Sequence, residues 1–148
     1  MLPKKGIIPN GYFDYSIYPL EGIWDLSDEA KEKKIFDKNE LTYKIMIRQP
    51  EFVTRELALD IIEAIKNKKP HKLLESVKFE AIEDGISVQI LHLGSYDDEP
   101  ENFKRMDEFC KENGLERSKI THREIYISDA RKTATDKLKT VLRYSCSK

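Results

Sequence analysis

The chain has 148 residues, of which 39% are hydrophobic and 36% are charged. Its 26 Lys and Arg residues nearly balance its 27 Asp and Glu residues, so no net field favours nucleic acid, and no apolar run is long enough to span a membrane. The length predicts one domain over residues 1–148, able to bury a core without disulfides or a structural metal. Cys110 and Cys146 form no CxxC pattern, which predicts free thiols in a reducing cytoplasm.

Short strands are predicted at the start of the chain. Aromatic and β-branched residues on either side of Pro19 predict two short strands at Tyr12–Tyr18 and Glu21–Leu26, or one broken strand over both segments. The polar run Ser27–Lys34 has no apolar stripe and predicts a solvated turn or short helix. Alternating residues then predict a third strand at Leu41–Arg48.

A helix follows these strands. Thr54 is its predicted N-cap, and the helix extends through Asn67. Leu57, Ile61 and Ile65 recur at four-residue spacing, so this face is expected to pack on a sheet.

The clearest turn signal is Asp84-Gly85, because Asp-Gly supports the positive φ of a tight hairpin turn. It lies between Val77–Ile82 and Ile86–Leu93, and the three segments together predict a β-hairpin.

A second helix is predicted after this hairpin. Asp98 is its expected N-cap, with Pro100 in the first turn and Glu101 three residues after the cap. Asn113-Gly114 ends the helix. Its inward face is predicted to carry Phe103, Met106, Phe109 and Cys110.

Two final strands, His122–Ser128 and Lys139–Tyr144, complete a strand-helix-strand-strand unit in the second half. The first half looks like the end of the same unit without its leading strand and helix. The fold class predicted is α+β, an antiparallel sheet with helices on one face. The sequence predicts either a shortened two-repeat domain or a homodimer in which another subunit supplies the missing elements, and both leave an exposed sheet edge.

The strand at His122 carries the main candidate site. Alternation places His122, Glu124 and Tyr126 on one face, which we expect to point away from the helices, and Ile125 and Ile127 on the other. Partial burial would raise the pKa of Glu124 and suit it to general-base chemistry or to pairing with a cation. A solvated outer face would show the same alternation.

No metal or other cofactor is predicted. His122 and Glu124 could join His92 at a zinc or iron site, but the three histidines of the chain form no HExxH or similar cluster. Phosphate-binding glycine loops, a GxSxG elbow and a basic stripe interleaved with aromatics are also absent from the sequence.

Aromatic residues are the second functional signal. Trp24, Tyr43, Tyr96 and Tyr126 come from separate elements, and such residues can form the wall of a pocket for flat ligands. Taken singly, each of them is more typical of a core. The pocket interpretation depends on Tyr126, which shares its face with Glu124.

Four ordered motifs resemble the GyrI-like small-molecule-binding domains, and within that group the stand-alone bacterial members. No helix-turn-helix precedes these motifs, so no direct nucleic-acid binding is predicted. The motifs are Pro19-Leu20-Glu21-Gly22-Ile23-Trp24, His92-Leu93-Gly94-Ser95-Tyr96-Asp97-Asp98-Glu99-Pro100, His122-Arg123-Glu124-Ile125-Tyr126, and Lys132-Thr133-Ala134 with Leu138-Lys139-Thr140-Val141-Leu142-Arg143.

The resemblance implies a pseudo-twofold pair of βαββ units around a ligand groove, with Glu124 at the position of a central glutamate. It implies an aromatic or cationic ligand, and some relatives hydrolyse cyclopropane-bearing DNA-alkylating toxins. Glu124 and Tyr126 would then be catalytic, and the ligand-binding residues would be Trp24, Tyr43, His92, Tyr96 and His122. The alternatives are a non-catalytic multidrug-binding or sensing module and a protein-interaction domain of the gyrase-inhibitor type.

Overall fold

The computed structural model describes residues 8–26 and 41–148. Contacts divide them into two compact units, one of residues 8–17 and 49–83 and the other of residues 18–26, 41–48 and 84–148. The predicted turn or helix at Ser27–Lys34 lies outside the described residues. The homodimer and the single domain over residues 1–148 stay predictions.

The first unit contains helix α1, Arg55–Lys68, and a short 3-10 helix at Lys72–Ser76. The predicted cap is confirmed, since Thr54 Oγ1 accepts a hydrogen bond from the Leu57 backbone N–H at 3.1 Å. No residue of α1 is buried, although the apolar spacing predicted a packed face. Ile65 is exposed, and Leu57 and Ile61 are half-buried.

The predicted strand Tyr12–Tyr18 is wrong, because this segment has no strand structure. The rings of Tyr12, Phe13 and Tyr15 instead surround the buried Phe52, with centroid separations of 4.9, 5.2 and 5.8 Å. Three aromatic side chains within four residues all contact the same ring, which an alternating strand would not allow.

The second unit is an antiparallel sheet that carries one α-helix. Its strands are β1 (Leu20–Leu26), β2 (Leu41–Ile47), β3 (Ser87–Leu93), β4 (Glu116–Arg117), β5 (His122–Tyr126) and β6 (Lys139–Ser147), and its helix is α2 (Glu99–Glu112). The strands follow the spatial order β2-β1-β5-β6-β3, and β4 pairs with β6. The α+β class and the strand-helix-strand-strand order of the second half are confirmed, with β4 as a short addition.

The predicted hairpin at Asp84-Gly85 is also wrong. Val77–Ile82 has no strand structure, and β3 pairs with β6. Gly85 does have a positive φ of 67°. However, Ser145 Oγ donates to the Asp84 carbonyl at 2.9 Å, and the Asp84 carboxylate accepts from Arg143 at 3.0 Å. These bonds direct the chain onto β6 instead of back onto Val77–Ile82.

The core of the second unit lies between α2 and one face of the sheet. Leu142 is fully buried, and Met106, Cys110, Tyr144, Cys146 and Val88 surround it. Met106 and Cys110 point inward as predicted, whereas Phe109 is 53% exposed, so its predicted inward position is wrong. Asn113 caps the end of α2, and Gly114 follows with a φ of 68°.

The start of α2 differs from the predicted cap. Asp98 precedes the helix, but its side chain makes no capping hydrogen bond. Ser95 Oγ instead accepts from the Asp97 N–H at 3.1 Å and caps the 3-10 turn Tyr96–Asp98 that leads into α2.

We therefore expect Ser95→Ala to cost about 1 kcal/mol of unfolding free energy, as the loss of a helix cap does, and Asp98→Ala to cost less. Urea unfolding of both variants beside the wild type measures the difference. A larger loss in Asp98→Ala would contradict this capping arrangement.

Candidate functional site

The candidate site lies on the face of the sheet that packs against α2. Strand register places Glu124 directly between Gly22 of β1 and Leu142 of β6, and Leu142 belongs to the core under α2. The ring of His122 lies 4.8 Å from that of Phe103, which α2 carries. The prediction that this polar face points away from the helices is therefore wrong for α2. His122 and Glu124 lie on the face of the sheet that α2 covers.

Glu124 is the buried acid at the centre of the site, and only 5% of its surface is exposed. Burial raises the pKa of Glu124, but the neighbouring His122 and the hydrogen bond from Glu99 outweigh it, so that the pKa is lowered overall. His122 Nε2 lies 3.4 Å from Glu124 Oε2, a contact that is poorly aligned for a hydrogen bond and therefore mainly electrostatic. Glu124 is thus ionised at neutral pH.

Glu99, from the first turn of α2, is the site residue that the sequence did not identify. Burial, then its hydrogen bond with Glu124 and the charge of Glu124, raises the pKa of Glu99 to about 9. Two carboxyl groups can share a hydrogen bond only when one holds a proton, and here Glu99 holds it. Glu99 Oε1 is buried without a hydrogen-bond partner. The site therefore combines a neutral carboxylic acid with a carboxylate.

Aromatic side chains form one side of the site. Trp24 Nε1 donates to Tyr126 Oη at 2.9 Å, and the Trp24 ring lies 5.0 Å from that of Tyr43. Tyr96 contacts Tyr126 edge to face at 6.1 Å. Burial and the charge of Glu124 raise the pKa of Tyr126, so that its hydroxyl stays protonated. Four of the predicted site residues, Trp24, Tyr43, Tyr96 and Tyr126, therefore form one connected group. His122, a fifth, contacts Glu124.

His92 does not join this group, and its role as a ligand contact stays a prediction. It is 1% exposed, and its ring nitrogens already contact the Ser95 carbonyl and the Asn102 side-chain amide, each at 2.6 Å. These contacts fix the turn before α2, so His92 holds in place the segment that carries Tyr96 and Glu99.

Three possible metal ligands lie together at the site. Glu99, His122 and Glu124 each offer one ligand atom within 4.8 Å of the others, a group of ligand types that zinc or iron accepts. The proton on Glu99 and the contact between His122 and Glu124 account for this grouping without an ion. The absence of a metal stays a prediction.

The protonated Glu99 has a consequence for stability. Because its pKa is higher in the folded protein than in the unfolded chain, its contribution to stability is full below about pH 4.5 and is lost as the pH rises towards about 9. Glutamine keeps a donor for Glu124 and cannot ionise. We expect Glu99→Gln to match the wild type near pH 4.5 and to exceed it at pH 8 to 9 by about 1 to 3 kcal/mol, a range that allows for solvent screening of this half-buried group.

Urea unfolding at pH 4.5, 7 and 9 measures this difference. Glu101→Gln is the matched control, because Glu101 is an exposed glutamate on the same helix. A Glu99→Gln variant that is less stable than the wild type at every pH would contradict a protonated Glu99.

Neither helix of the described residues has the length and apolar composition needed to cross a bilayer.

No curated protein matches the chain. Three crystal structures of proteins from Listeria innocua are similar to it. One is an uncharacterized conserved protein, 33% identical with a TM-score of 0.81 over 93% of this chain and 68% of that protein.

The other two are crystal structures of hydrolases. The first is 32% identical with a TM-score of 0.81, over 99% of this chain and 71% of the hydrolase chain. The second is 33% identical with a TM-score of 0.82, over 99% and 72% of the two chains. The family model of the GyrI-like small molecule binding domain matches residues 19–144. The chain therefore belongs to the GyrI-like small-molecule-binding domains.

Proposed function

We propose that this protein binds a flat aromatic molecule that is cationic or electrophilic beside Glu124, and that it hydrolyses cyclopropane-bearing alkylating agents. One observation carries the proposal: Glu124 is an ionised carboxylate, almost fully buried, with a carboxylic acid and aromatic rings around it. The similarity to two hydrolases of the same fold supports a catalytic role.

Binding would depend on the aromatic side chains and on the charge of Glu124. Tyr43 is 58% exposed and Tyr96 is 39% exposed, so both rings offer surface on which a flat ligand can stack. Cation–π contact and pairing with a carboxylate each contribute about 1 to 3 kcal/mol. Their sum, at most about 6 kcal/mol, corresponds to a dissociation constant of tens of micromolar or weaker, and broad specificity is expected.

The hydrolysis would begin when Glu124 takes a proton from a water molecule. The water oxygen forms a bond to a methylene carbon of the cyclopropane, and the carbon–carbon bond of the ring breaks. The electron pair of that bond moves into the conjugated carbonyl to give an enolate, which then takes up a proton. Glu99 is a better proton donor than Tyr126, because its pKa is about 9 whereas that of Tyr126 is raised above its usual value of 10.

A non-catalytic binding module is the second candidate. Glu124 already receives a hydrogen bond from Glu99 and lies beside His122, and both stabilise its charge. A carboxylate stabilised in this way is a weaker base, and it could pair with a lipophilic cation without activating water.

The test is incubation of the purified protein with a spirocyclopropane alkylator in ¹⁸O-labelled water. Mass spectrometry follows the ring-opened product, and quenching of Trp24 fluorescence follows binding. We expect quenching together with a product that carries one labelled oxygen. Quenching without product would favour the binding module, and the absence of both signals would contradict the proposal.

A further inference from the structure

His92 is a polar side chain buried beside the candidate site. It is 1% exposed, and both ring nitrogens have a partner at 2.6 Å, Nε2 in the Ser95 carbonyl and Nδ1 in the Asn102 side-chain amide. In the strand register His92 lies opposite Thr140 of β6, and Thr140 lies opposite Tyr126 of β5. His92 therefore belongs to the same row of the sheet as Tyr126 and to the same face.

The donors and acceptors of these contacts follow from their chemistry. A backbone carbonyl can only accept, so His92 Nε2 carries a proton and donates it to the Ser95 oxygen. Arg105 Nη1 donates to Asn102 Oδ1 at 3.5 Å, which turns the amide nitrogen of Asn102 towards His92 Nδ1. His92 Nδ1 therefore accepts and carries no proton. The bonds run from Arg105 through Asn102 and His92 to Ser95.

The two partners of His92 lie on either side of two site residues. Ser95 immediately precedes Tyr96, and Asn102 lies one helical turn after Glu99. The ring of Tyr96 lies 6.1 Å from the tyrosine ring at the end of β5, and a carboxyl oxygen of Glu99 lies within 4.8 Å of the central carboxylate of that strand. His92 thus holds both ends of the segment that supplies these two contacts.

We propose that His92 and Asn102 are positioning residues that hold Tyr96 and Glu99 in place at the candidate site. Both buried residues of α2 lie in the second half of the helix, and the bonds with His92 hold its first turn against β3. The relevance to a ligand rests on the proposed function, whereas the contacts of His92 form without a ligand.

The first test is NMR of the ligand-free protein with ¹⁵N-labelled histidine and ¹³C-labelled tyrosine rings. We expect His92 to carry its proton on Nε2 and none on Nδ1. The rings of Tyr96 and Tyr126 should show a nuclear Overhauser effect. Asn102→Ala should weaken this effect and shift the Tyr96 resonances, because it removes the donor to His92 Nδ1 and frees the first turn of α2.

Asn113→Ala is the matched control. Asn113 Nδ2 donates to the Phe109 carbonyl at 2.8 Å, so this variant also removes an asparagine hydrogen bond from α2, but at the end of the helix away from the site. Both variants should lower the midpoint of urea unfolding. Only Asn102→Ala should change the contact between Tyr96 and Tyr126.

The second test is binding of rhodamine 6G, a flat lipophilic cation, followed by its fluorescence. Asn102→Ala should weaken binding roughly 2- to 10-fold, the loss expected from one hydrogen bond. Asn113→Ala should bind the dye as the wild type does. Absence of binding in the wild type would count against the proposed function, and the NMR contact would still decide the inference.

A proton on His92 Nδ1, or an unchanged contact between Tyr96 and Tyr126 in Asn102→Ala, would overturn the inference. An equal change of that contact in Asn113→Ala would also overturn it, because it would reflect helix stability alone. If Asn102→Ala does not fold, Asn102→Ser takes its place, because serine is polar at this half-buried position and too short to reach His92.

Discussion

Glu124→Gln is expected to lower the turnover of a cyclopropane-bearing electrophile by about 10²- to 10⁴-fold, the usual contribution of a general base. Glutamine has nearly the same shape, and its amide oxygen can still accept a hydrogen bond from Glu99. It carries no negative charge and cannot take a proton from water. The protein should therefore remain folded and lose the chemical step.

The initial rate of product formation, measured by mass spectrometry, gives the size of this loss, and circular dichroism confirms folding. Glu101→Gln is the control, because Glu101 is exposed on α2 and away from the site, and it should keep the wild-type rate. An unchanged rate in Glu124→Gln would rule out Glu124 as the base. Weaker binding of a cation by Glu124→Gln, with no product from either protein, would leave the binding module as the function.

Alternation along a single strand was sufficient to predict which residues of β5 share a face at the candidate site. Because neighbouring residues of a strand point to opposite faces, His122, Glu124 and Tyr126 had to share one face, and the structure agrees. The same pattern could not say which face α2 covers. That depends on the packing of Met106 and Cys110 against β6, which is a long-range contact.

Glu99 could not be predicted from its local sequence. An acidic residue in the first turn of a helix is common, because it interacts favourably with the helix dipole, so Glu99 carries no distinctive signal. Its role arises when the turn held by His92 brings α2 next to β5.

The two wrong strands have a common physical cause. Tyr12–Tyr18 and Val77–Ile82 have the composition of strands, but composition does not supply a hydrogen-bonding partner. The aromatic rings of the first segment pack on Phe52. The expected partner of the second, β3, pairs with β6. Capping at Thr54 was predicted correctly because it depends on residues only three positions apart.

Leu142→Ala is expected to lower the free energy of unfolding by about 2 to 5 kcal/mol, the range for a leucine truncated inside a core. Leu142 is fully buried beneath α2, so the lost methyl groups leave a cavity that its neighbours cannot readily fill.

Leu91→Ala is the matched control for this variant. Leu91 lies on the adjacent strand β3 and on the opposite face of the sheet, and it is 50% exposed. Its truncation should cost less than about 1 kcal/mol. Urea unfolding followed by Trp24 fluorescence compares the two variants within the sheet that both residues share. Equal losses would mean that α2 does not cover the face that carries Leu142, and the burial of Glu124 on that face would then need another explanation. A large loss in Leu142→Ala alone would support the packing that brings Glu99 next to Glu124, because the same helix covers both Leu142 and the acidic pair.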